Sequence, residues 1–170
     1  MRRALRMSLL APVAVALVAS AGCSGEDEAG AVTTDQVAVL DATFMPDELL
    51  GLAVEPEATE GLADVTRSYV DAIRLHSLRD GDQLVATLQV GRFAPGVEWD
   101  DRRFQRGVLN QIGANAPDPV RLGDHIVFVT TGVKQRLAVW FTDGYFFVLG
   151  VRDEFDRPRT LLRAALEVTP

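Results

Sequence analysis

The sequence is short of the residues on which much protein chemistry rests. Its 170 residues hold one cysteine, Cys23, so no disulfide can close within the chain, and neither a CxxC pair nor a cysteine-built zinc site can form. Histidine occurs only at His76 and His125, and lysine only at Lys134. No His-Glu-x-x-His helix, Gly-x-Ser-x-Gly turn or phosphate-cradling glycine loop is present. Basic charge is scarce as well: 17 Lys+Arg stand against 24 Asp+Glu, a net charge of −7. A surface of that sign repels phosphate, which removes nucleic acid from the expected partners. The apolar run from Leu9 to Ala21 is 13 residues, too short for the roughly 20 that a membrane-spanning helix needs.

That run has ordered flanks. Arg2, Arg3 and Arg6 precede it, and it ends in Ala19-Ser20-Ala21-Gly22-Cys23. A basic segment, a short apolar segment and small residues, in this order, are the parts of an export signal. The stretch resembles a bacterial lipoprotein signal peptide with its lipobox, with Ser20 at the position where leucine is usual. The resemblance implies cleavage before Cys23, acylation of the Cys23 thiol and new amino terminus with palmitate-type chains, and attachment at the outer face of the cell membrane. Without lipid, the lone thiol would have no partner in an oxidising compartment. Abundant Ala, Val and Arg with a single lysine resembles the coding of a GC-rich genome, as in actinobacteria.

On this reading residues 1–22 are the signal, 23–34 the lipidated cysteine with a flexible acidic tether, and 35–170 one domain. Cleavage leaves 148 residues, enough for a single core without disulfides. It also removes three arginines, so 14 basic side chains face 24 acidic ones and the net charge becomes −10. The tether, Ser24 to Thr34, is small, polar and acidic, and reaches about 35 Å if extended.

Along the domain, Leu49 to Val54 reads as a short strand ended by Glu55-Pro56. Thr59 to Val70 is ambiguous, with Thr59 placed to cap a helix that would carry Leu62, Val65, Tyr69 and Ile73 on one side. Asp80-Gly81 predicts a two-residue hairpin in which Arg79 faces Asp82 and Ile73 faces Leu88. That register sets Arg74 and His76 on a polar face with Gln83, Thr87 and Gln89. Asp100 or Asp101 caps a helix that ends near Ile112 at Gly113, with Phe104, Val108, Leu109 and Ile112 as its buried stripe. Pro117-Asp118-Pro119 breaks the chain before strands at His125 to Thr131, Leu137 to Thr142 and Tyr145 to Val151. Asp143-Gly144 joins the last two and sets Trp140 opposite Phe147. Pro158 opens a final helix to about Glu167. The expected fold class is α+β: an antiparallel β-sheet built from hairpins with about two to three helices packed on it.

Both faces of the second hairpin are apolar, which calls for cover on both sides or leaves one side open for binding. Trp99, Trp140, Phe141, Tyr145 and Phe147 are accordingly the candidate ligand or partner surface, with core packing as the competing use of the same rings. His76 is expected to be exposed. Asp153, Glu154 and Asp156 supply too few oxygens to hold calcium alone. No catalytic residue, metal site or cofactor is expected. The expected protein is a membrane-anchored, non-catalytic module for an envelope protein partner, the alternative being a carrier of a lipid or other apolar small molecule. Replacing Cys23 with serine is expected to abolish incorporation of labelled palmitate and to release the protein from the membrane fraction. A Cys23→Ser variant that still labels or still sediments with membranes overturns the anchor.

Overall fold

A computed structural model describes residues 37–58, 69–114, 117–132 and 134–170. The leader, Cys23, the tether and residues 59–68 of the ambiguous Thr59 to Val70 stretch lie outside the described residues. In chain order the elements are β1 (Ala38–Val39), β2 (Glu48–Leu49), β3 (Leu52–Glu57), β4 (Val70–Asp80), β5 (Gln83–Phe93), α1 (Arg102–Gln111), β6 (Asp118–Leu122), β7 (His125–Thr131), β8 (Gln135–Thr142), β9 (Tyr145–Arg152) and α2 (Pro158–Val168). The strands form one sheet in the order β2-β3-β4-β5-β9-β8-β7-β6, with β1 laid parallel beside the start of β4. The other pairings are antiparallel.

The β8–β9 hairpin follows its sequence. Asp143 (φ 46°) and Gly144 (φ 79°) take the left-handed conformations that a type I′ turn requires, and Trp140 faces Phe147. The β4–β5 hairpin differs from expectation. Its turn residues are Gly81 and Asp82, Asp80 pairs with Gln83, and a bulge leaves Val85 without an opposite residue. Beyond the bulge Leu78 faces Ala86 and His76 faces Leu88. One extra residue in a strand carries every later side chain to the other face. Arg74 and His76 therefore lie with Ala86, Leu88 and Val90, while Thr87 and Gln89 lie with Leu75 and Ser77.

Nine strands and only two helices, of 10 and 11 residues, occur among the described residues. The expected α+β fold, with two to three helices packed on the sheet, is corrected to a mainly β architecture. Reading proline as a strand end cut β3 short and missed β6. Pro56 sits within β3 opposite His76, and Pro119 within β6 opposite Phe128. β6 ends the sheet, and β2 covers the outer side of β3 only at Leu52 and Ala53. At such edges no neighbour asks proline for the N–H it lacks.

Each helix covers one face. The Asp101 carboxylate accepts from the backbone N–H groups of Arg103 and Phe104 at 2.8 and 2.9 Å, which starts α1. Val108 of α1 packs with Phe146, Val70, Ile73 and Phe93, and Leu109 packs with Val139. α2, with Pro158 in its first turn, presents Leu161, Leu162, Ala165 and Leu166 to the other face, among Leu88, Trp140, Phe147 and Leu149. The Trp140 and Phe147 rings stack at 5.1 Å, and Trp140 Nε1 donates to Thr169 Oγ1 at 3.3 Å.

Gly91 of β5 sits opposite Phe146 of β9, whose buried ring occupies the place where a Cβ on residue 91 would stand. Gly91→Ala is therefore expected to cost about 1–3 kcal/mol, read as a lower urea midpoint at an unchanged slope. An unchanged midpoint would mean that the ring has room to move.

Candidate functional site

The structure divides the five aromatic candidates between the two faces. Trp140, Tyr145 and Phe147 lie on the α2 face, and Phe141 and Trp99 pack with the cluster under α1. Trp140 and Phe147 are 0 % exposed, so as ligand or partner surface they are corrected to core. Phe44 closes that group edge-on, 6.0 Å from Tyr145 and 6.1 Å from Phe147. Phe141 stacks on Phe93 at 6.3 Å and meets Phe128 edge-on at 6.2 Å. Trp99 is half-buried beside the Gly144 turn, its backbone carbonyl accepting from Gln105 Nε2 at 3.1 Å. None of the five lines any of the three clefts described here.

The first cleft, about 370 Å³, lies on the α2 face where residues 40–47 cross β3 and β4. This strap is pinned at both ends: the Leu40 N–H donates to the Ile73 carbonyl and the Val54 N–H to the Asp47 carbonyl, both at 2.9 Å. Asp41, Asp47 and Pro56 are exposed at the cleft, Arg74 and Met45 are half-buried, and Leu40 and Val54 are buried walls. His76 also lines it, 6 % exposed. The expectation of an exposed His76 is thereby corrected, and the bulge at Val85 is the reason. Neither ring nitrogen has a hydrogen-bond partner among the described residues. Burial, and secondarily the Arg74 guanidinium, holds the imidazole pKa below its ordinary value. Buried polar atoms are nearly always paired, and an unpaired one costs about 1–3 kcal/mol.

A second cleft of about 540 Å³ lies on the opposite face, between α1 and the β6–β7 hairpin. Leu109, Pro117, Pro119, Ile126 and Phe128 make an apolar floor, and among the described residues Arg102 and Arg106 are its only charged lining. Ile126 is 52 % exposed. Ile126 and Phe128 alternate onto one side of β7, and α1 stops short of covering Ile126.

A third cleft, about 390 Å³, involves the acidic loop before α2. There Asp153, Glu154 and Asp156 each stand within 4 Å of an arginine: Arg136 at 3.9 Å, Arg152 at 3.8 Å and Arg157 at 3.6 Å. Among the described residues no three His, Cys, Asp or Glu side chains gather as a metal site, and no helix is long and apolar enough to cross a membrane.

Comparison with protein-family models, curated proteins and solved structures finds no match to this chain.

The His76 environment has a consequence for acid stability. The unfolded imidazole takes a proton at about pH 6.5, whereas the folded one stays neutral to lower pH. Between those two values the unfolded state binds more protons, so stability is full above about pH 6.5 and falls as the pH drops toward the folded pKa. His76→Leu, which fills the space without unpaired nitrogens, is expected to match or exceed the wild type at neutral pH, with an advantage that widens by about pH 5. Urea unfolding at both pH values tests this. A variant weaker by the same margin at each pH would mean that the ring's shape, not its polarity, matters.

Proposed function

We propose that the chain is an exported lipoprotein, held at the outer face of the cell membrane by lipid on Cys23, whose domain is a non-catalytic binding module for an envelope protein partner. The signal-like first 23 residues and the acidic tether support the placement. The cleft between α1 and the β6–β7 hairpin carries the binding part. It is an apolar floor rimmed by two arginines, in a domain whose net charge is otherwise strongly negative.

Interfaces are built in this way, with an apolar centre that excludes water and a polar rim that selects the partner. The chemistry specifies an acidic, amphipathic segment. Its apolar side chains would cover Ile126 and Phe128, and its carboxylates would meet Arg102 and Arg106 in charge-assisted hydrogen bonds. Neither arginine has a carboxylate within 4 Å among the described residues, so both are available to a partner. The carrier reading keeps one supporting observation, the apolar floor itself, since the rings of Trp140 and Phe147 are spent on the core.

A photo-reactive side chain at position 126 in intact cells tests the proposal against one at exposed position 82 on the β4–β5 turn. The expected result is one reproducible protein adduct from position 126 alone, through a peptide rich in acid, and lost when Arg102 and Arg106 are changed to glutamate. Adducts that form equally at both positions, or survive the charge reversal, overturn it. A lipid adduct in place of a protein one transfers the cleft to the carrier reading.

A further inference from the structure

His76 is the least explained side chain in the fold. It is buried, both of its ring nitrogens are unpartnered among the described residues, and a leucine would suit its neighbours Leu88, Val54 and Leu78 better. A buried polar group in that position calls for a hydrogen-bond partner, and a ligand entering from solvent can supply one. His76 opens into the cleft under the strap, so the lining of that cleft states what a partner there would be.

The lining is arranged by charge from floor to mouth. Arg74 and His76 are two residues apart on β4 and so point from one face of the sheet into the same floor. Together they offer a guanidinium and a neutral imidazole, which suits a carboxylate: bidentate donors from one and a single donor from the other. Asp41 and Asp47 stand at the exposed mouth, where a cation would be met. Leu40, Met45, Val54 and Pro56 between them carry no charge and accept a small apolar side chain. Asp41, Asp47 and His76 do not gather as a metal centre.

We propose that the cleft between the 40–47 strap and strands β3 and β4 is a binding site for a free α-amino acid, its carboxylate on Arg74 and His76 and its ammonium toward Asp41 and Asp47. A volume of about 370 Å³ suits a ligand of that size. The site faces away from the α1 cleft: His76 shares its face with Leu88, Leu149 and Ala138, whereas Phe128 lies on the other. It therefore stands or falls independently of the partner surface.

The test titrates the intact protein with each of the common free L-amino acids, and with the N-acetyl and carboxamide forms of whichever binds. Calorimetry gives affinity, and the His76 ring resonances report the location. Saturable binding that moves those resonances is expected, together with a loss of roughly tenfold or more on acetylation, on amidation, and in Arg74→Gln. Asp41→Asn with Asp47→Asn should reproduce the loss caused by acetylation. Arg74 is half-exposed, so its replacement leaves the core intact even if a His76 variant folds poorly. The proposal is overturned if no free amino acid binds at millimolar concentration. It is equally overturned if the blocked forms bind as well as the free one, or if Arg74→Gln binds like the wild type.

Discussion

Water has to be kept from both sides of the β8–β9 ribbon, and the rest of the fold is arranged to do so. Trp140, Phe147 and Leu149 project to one side and Val139 and Phe146 to the other, all 0 % exposed. Burying one such side chain is worth about 1.5–3 kcal/mol, so leaving either side wet would cost a sizeable part of a typical domain's 5–15 kcal/mol stability. The ribbon consequently sits inside the sheet, flanked by β5 and β7. α2 and the Phe44 strap close one side, while α1 and the Trp99 loop close the other. Both clefts of interest arise where that cover runs out. One lies under the strap beyond Phe44, the other beyond the reach of α1 over β6 and β7.

Much of this arrangement was legible in the sequence, wherever one local signal decided the backbone. Asp143-Gly144 admits the I′ turn and pins the register around it, and Asp101 and Gly113 bracket α1 as capping residues should. The β4–β5 hairpin was harder because its turn is displaced by one residue and Val85 bulges. Nothing in an apolar residue among apolar residues announces a bulge. β3 was cut short and β6 missed for a different reason. Pro56 and Pro119 break a central strand but are harmless in β3 and β6, and sequence alone does not say which strands are edges.

The candidate site was legible only in part. The aromatic concentration correctly marked the most consequential hairpin, yet alternation sends neighbouring rings to opposite faces, so Trp140 and Phe141 never form one surface. His76 was assigned to the polar face because its true face depends on the bulge at Val85, four residues past the nominal Asp80-Gly81 turn and on the partner strand, where nothing around His76 signals it. The α1 cleft depends on where a ten-residue helix happens to stop above a sheet. Length and capping predict the stop along the chain but not the strands left uncovered beneath it.

The strand order also bears on how the chain assembles. β2 to β5 follow one another as a local meander, and β6 to β9 do the same in the other direction. The two halves meet at a single ladder, β5 against β9, in which Ala86 pairs with Val151. Hairpins within each half close short loops, whereas this seam must bring together segments separated by α1 and three strands, at a larger entropic cost. Until it forms, each half presents an open edge lined by the most apolar strand it owns. A second copy of the chain offers that edge the same complement as the correct half does. The seam is thus the ladder whose closure costs the most chain entropy, and the place where crowded chains can exchange halves.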